Sequence, residues 1–173
     1  MEKRETIISV TFILSGSLLQ MFNGIGNGWI STLTAIFGLI LFFMGLNKLK
    51  NGVDEKGRAA VKILIISAIV GIIGLVLDLI PLVGIVASIV FIAAFIIQLI
   101  GIIKLKNSES IGKSGKSGVI LLLVAMILAI AQSIFGFVPL AGGIIAGIIS
   151  FAALILVFFG WLKVQDGIII HNT

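Results

Sequence analysis

The sequence predicts an all-α membrane protein: six transmembrane helices arranged as three helical hairpins, a pseudo-threefold repeat about the membrane normal. Three observations predict it. The 173-residue chain is 60% hydrophobic and only 11% charged, against roughly 25% charged in a soluble domain, and a globule this small would leave much of that apolar surface in water. Apolar runs of spanning length, about 20 residues each, recur six times. All twelve Lys and Arg fall at one set of ends of those runs, the bias that marks the cytoplasmic side of a membrane.

Taken in order, the spans are 6–22, 28–47, 59–80, 81–103, 117–136 and 139–162. They are continuous rather than alternating, which disfavours a membrane barrel. The first is diluted by Thr11, Ser15, Ser17 and Gln20. Its charge-balanced start and the poor cleavage sequence after Leu19 read as a retained helix, not a signal peptide. Three breaks are short and carry no basic residue: Asn23 to Gly28, Asp78 to Pro81, and Gly136 to Pro139. Glycine and asparagine permit tight turns, and Pro81 and Pro139 suit the first turn of the next helix. The chain reads as one transmembrane domain over 1–173, with hairpins at about 6–47, 59–103 and 117–162 and cytoplasmic loops at about 48–58 and 104–116.

Lys3 and Arg4 precede the first span. Lys48, Lys50, Lys56, Arg58 and Lys62 cluster around the first long break. Lys104, Lys106, Lys113 and Lys116 cluster around the second, and Lys163 follows the last span. The positive-inside rule places both termini in the cytoplasm, in a bacterial cell (inner) membrane. The net charge of +5 is therefore a matter of topology, and no nucleic-acid partner is expected. Lys56, Arg58, Lys113 and Lys116 are the candidate groups for anionic lipid, each contributing about 1 kcal/mol.

The even spans end alike: Gly45 then Lys48, Gly101 then Lys104, Gly160 then Lys163. Gly28, Gly84 and Gly143 each lie 17 residues before those glycines, and Pro81-Leu-Val-Gly84 matches Pro139-Leu-Ala-Gly142. A two-helix unit returns the chain to the same side, so the repeats share an orientation and inverted-repeat transporter folds are disfavoured.

Candidate sites are few. Gly112-Lys-Ser-Gly-Lys-Ser-Gly118 lacks the first glycine and the preceding strand of a phosphate loop and reads as a flexible cationic loop. Asp78 is the one acid inside a span, close enough to the outer turn to favour the start of the helix at Pro81. Asp78, Gln20 and Gln132 lie near the outer ends of odd spans, as snorkelling groups or a polar ring; Gln98 lies deeper and suits an interhelical hydrogen bond. Small residues four apart place packing faces on the helices: Ser67 with Gly71, Gly84 with Ser88, and Ala125 with Ala129 and Ser133. Gly143 with Gly147 is the sharpest of them, for contact inside the chain or between subunits. Trp29 and Trp161 read as interfacial anchors.

No cysteine is present, and the single histidine, His171, has no partner at membrane depth. No catalytic, cofactor-binding or metal residue is assigned. The expected function is that of a polytopic membrane protein without catalysis, acting by packing with a partner protein, a second copy or lipid. The alternative is a small-solute or ion channel or transporter.

Overall fold

With no water in hydrocarbon to satisfy the backbone, a spanning chain bonds its amides internally, and six α-helices dominate this one. The structure is a computed structural model describing residues 3–21, 29–80, 82–135 and 142–171. The helices are α1 (Lys3–Met21), α2 (Trp29–Leu49), α3 (Glu55–Asp78), α4 (Gly84–Leu105), α5 (Gly112–Phe135) and α6 (Gly142–His171), with one 3-10 turn over Lys50–Gly52. The short turns around 23–28 and 136–139, Pro81 and the Trp29 side chain lie outside the described residues.

Among the described residues, five helices, α2 to α6, are long and apolar enough to cross a membrane; the chain is a multi-pass membrane protein. The described stretch of α1, Lys3–Met21, takes in Lys3, Arg4 and Glu5 and does not meet that measure. Several of its polar groups are turned back on their own helix. Ser9 donates to the Glu5 carbonyl (2.7 Å), Thr11 to Ile7 (2.9 Å), Ser17 to Ile13 (2.9 Å) and Gln20 to Gly16 (3.2 Å).

Each helix packs chiefly on a chain neighbour: α1 on α2, α3 on α4, α5 on α6. These pairs then touch through α2–α3, α1–α6 and α4–α5, closing a ring in which the α4–α5 seam is the slightest. Close approach comes from glycine. A Cβ added at Gly45 would lie 2.6 Å from Ile13 Cγ1, one at Gly101 2.6 Å from Leu64 Cδ2, and one at Gly160 2.8 Å from Leu122 Cδ2. The three span-ending glycines thus each meet one large aliphatic residue of their pair partner. Further along, Gly16 meets Gly38 backbone to backbone, and Ser67 donates 2.9 Å to the Ala94 carbonyl. Because Gly16 meets Gly38 while Ser9 meets Gly45, the partners run antiparallel.

Packing is lopsided along the bundle. The largest fully buried side chains are Thr6, Val10, Ile13, Leu46, Leu49, Val61, Leu64, Leu105, Ile111, Val119, Val164 and Ile168. All lie in the half that carries the lysines, here called the basic end. Helix boundaries explain part of this. α3 begins at Glu55 and α5 at Gly112, so much of both expected loops is helix: Lys56 and Arg58 stand on the first turns of α3, Lys113 and Lys116 on those of α5. α6 runs to His171, well past the expected end at 162, and seats Val164 and Ile168 in the core.

The two long connections are tied together. Asp54 caps α3 by accepting from the Gly57 N–H at 2.8 Å, and also accepts from the Glu109 N–H at 2.9 Å and from Ser108 and Ser110 Oγ. Its own N–H donates 3.0 Å to Ser110 Oγ. Lys56 adds an exposed ion pair to Glu109 at 3.3 Å. Partial burial raises the Asp54 pKa, but the hydrogen bonds from Ser108, Glu109, Gly57 and Ser110 outweigh it and lower the value from 3.8 to about 2.

Candidate functional site: a central chamber

Away from the basic end the bundle is hollow. Two adjoining volumes of about 250 and 240 Å³ occupy its centre and share Gln20, Phe42, Phe95 and Gln98 in their walls. The first is completed by Ser17, Ile102, Leu122, Ala125, Met126, Ala129, Gln132, Ala153, Val157 and Trp161. The second reaches Ala35, Leu39, Ser67, Ala68, Gly71, Leu75, Phe91 and Ala94. Small residues in its walls, Gly71, Ala94, Ala125 and Ala153 among them, leave room for this space.

The chamber has a floor. Trp161 of α6 and Phe42 of α2, on helices that are not neighbours, meet edge to face with centroids 6.2 Å apart and planes at 75°. Trp161 is 2% exposed. The expectation of an interfacial anchor is therefore corrected: its ring is buried in the middle of the bundle. Below it the packed aliphatic residues of the basic end close the axis.

The chamber gathers Gln20, Gln98 and Gln132. Side chains lean toward the N-terminus of their own helix. α1 and α5 run away from the basic end, so Gln20 and Gln132 lean toward the floor; α4 runs the other way, so Gln98 leans up toward them. Gln20 already donates to Gly16, while Gln98 and Gln132 bond to no described residue. Ser17 and Ser67 are spent on the Ile13 and Ala94 carbonyls. The hydrogen-bonding capacity facing the space is therefore that of primary amides, two donors and one acceptor oxygen each. Among the described residues, no ionisable one lines either wall.

Other candidate positions lie elsewhere. Asp78 is exposed at the end of α3 and outside both walls, so the ring of Asp78, Gln20 and Gln132 is not formed; Gln98 takes the third place. α4 begins at Gly84, six residues beyond Asp78, which removes the expected cap at Pro81. Gly143 and Gly147 are exposed, and an added Cβ at either would meet no described atom within 4 Å. Their packing role inside the chain is corrected accordingly; the glycines that admit a partner include Gly16, Gly38, Gly45, Gly74, Gly101, Gly118, Gly160 and Gly167. Lys56, Arg58 and Lys113 are exposed and Lys116 half-exposed at the basic end. Lys48 lies 5.2 Å from the Phe12 ring centroid, its stem following the apolar wall. Among the described residues no group of His, Asp or Glu is arranged to hold a metal.

Sequence reasoning places Gln20 and Gln132 at similar depth and Gln98 deeper, but does not bring the three around one space. It missed the floor and the Asp54 network. The available signals were Asp54 immediately before a helical run and the serines at 108 and 110. No protein-family model matches the chain, and no curated protein or solved structure does either.

Proposed function

We propose that this chain is a non-enzymatic membrane protein that works by noncovalent packing, receiving a guest in a one-ended chamber instead of passing solute across the bilayer. The carrying observation is the contrast between a hollow half lined by amides and a basic half filled with fully buried aliphatic side chains. A conduit needs a polar path across about 30 Å of hydrocarbon, and the axis below Trp161 offers none. Absence of ionisable groups from the described walls argues equally against acid–base catalysis in the chamber.

In this reading α1 is a sixth span, because it packs along both α2 and α6. The three pairs are repeats of one hairpin, supported by the shared Gly-to-Lys spacing at Gly45, Gly101 and Gly160. The basic end faces the cytoplasm of a cell (inner) membrane with both termini inside, and Lys56, Arg58, Lys113 and Lys116 attract anionic lipid there. A second copy or a partner helix would seat on the open Gly143 and Gly147 face of α6.

The channel or transporter reading draws on the glutamines alone. Purified protein in liposomes discriminates the two. Packing predicts no flux of protons, potassium or glycerol above protein-free vesicles; robust flux that Ala129→Phe blocks would replace the proposal with a conduit.

A further inference from the structure

We infer that the chamber binds an uncharged lipid bearing a hydroxylated head, of the diacylglycerol kind. The glutamine amides hold the head, and the acyl chains leave through the seam between α4 and α5. The inference rests on the guest-receiving reading and specifies the guest.

The walls decide the charge. Gln20, Gln98 and Gln132 supply the polar contacts, and no cation or carboxylate among the described residues faces the space. A phosphate or ammonium entering it would lose water and gain no counter-charge. An uncharged head loses far less, and regains it only if its hydrogen bonds are remade. The amides are suited to that. Gln98 and Gln132, which bond to no described residue, offer donors and acceptors together, so they match a hydroxyl, which also does both. A ketone or ester accepts only, and would leave the amide oxygens unmatched.

The walls also decide the route. The larger volume runs between α4, which brings Phe95, Gln98 and Ile102, and α5, which brings Leu122, Met126 and Gln132. That pair of helices makes the slightest contact in the ring. The chamber therefore borders the bilayer where the wall is thinnest, and a molecule already dissolved in lipid reaches the amides without crossing water. The two adjoining volumes, about 250 and 240 Å³, together reach the lower part of the roughly 300–1,000 Å³ of a small-ligand pocket. They suit a head group with its long chains left outside. A free polyol presents the same hydroxyls but lacks chains to use the seam.

The test uses the full chain purified in detergent and measures retention of tritiated dioleoylglycerol. Trioleoylglycerol, with the same chains and no hydroxyl, dioleoylphosphatidate and free glycerol serve as competitors. The expected result is retention of dioleoylglycerol about tenfold above either other lipid, the factor one hydrogen bond supplies, with no competition by glycerol. Gln98→Leu combined with Gln132→Leu should reduce it to the trioleoylglycerol level. Ala129→Phe, which fills the chamber, should abolish it at an unchanged thermal midpoint. Retention unaffected by the paired leucines but lost in Ala129→Phe overturns the head-group inference and leaves the chamber reading standing. Retention unaffected by Ala129→Phe overturns both. Equal binding of phosphatidate overturns the uncharged specificity, and competition by glycerol overturns the lipid source.

Discussion

Removing the Asp54 carboxylate should loosen the basic end of the bundle by a measurable amount. The side chain performs two tasks at once: it caps α3 through the Gly57 N–H and holds the 106–111 connection through the Glu109 N–H and two serine hydroxyls. Loss of a helix cap costs about 1 kcal/mol. Loss of the cross-connection, a charged acceptor for partners that include the fully buried Ser108, adds about 1.5 kcal/mol. Ser108 and Ser110 keep their mutual 2.8 Å hydrogen bond, which limits the damage. Asp54→Ala should therefore lose about 2–3 kcal/mol, and Asp54→Asn about half of that. The sign of the pH dependence follows from the lowered pKa. The charge-linked stabilisation is fully present above 3.8 and is lost as pH falls through about 2. Its ceiling of about 2.5 kcal/mol is reduced by solvent screening of this partly exposed group to about 1 kcal/mol. Reversible SDS titration in mixed micelles at pH 7 and pH 3 measures both effects. An Asp54→Ala variant within about 0.5 kcal/mol of wild type at pH 7 would refute the reasoning, and so would a variant that loses as much stability on acidification as wild type does.

Two further outcomes separate the glycines and fix the orientation. Gly160→Ala should lower stability by about 1–3 kcal/mol, because its Cβ would sit 2.8 Å from Leu122 and 3.0 Å from the Gly118 carbonyl; Gly147→Ala should stay within about 0.5 kcal/mol, both read by the same titration. The chain has no native cysteine, so Asn107→Cys should react with an impermeant maleimide only after permeabilisation of cells, while Phe137→Cys should react from outside; external labelling at 107 would sink the six-span orientation.

The helical membrane architecture was legible because it depends on one-dimensional quantities, run length and hydropathy, that survive any rearrangement of neighbours. Charge placement was legible for the same reason. The Gly-to-Lys spacing of the even spans located Gly45, Gly101 and Gly160, each of which does approach a partner helix. The sharper-looking Gly143 and Gly147 face open space, because a small-residue pair states only that a helix could come close. Whether one does depends on which way the helix is turned. Trp161 was misread through the same ambiguity of rotation: its depth near Lys163 fits an interface, but its azimuth points at Phe42. Counting puts Gln20 and Gln132 at similar heights and Gln98 deeper, whereas their meeting around one space depends on the lean of antiparallel helices. The Asp54 network joins residues more than 50 positions apart, beyond the reach of any local pattern.

The polar groups of α1 bear on how it sits in the membrane. Ser9, Thr11 and Ser17 spend their hydroxyl hydrogens on carbonyls one turn back, and the backbone interlocks with α2 at Gly16 and Gly38. Parting the two helices would leave that close backbone seam facing lipid tails with nothing of matching shape to fill it. α1 and α2 would therefore tilt and shift in the bilayer as one rigid body.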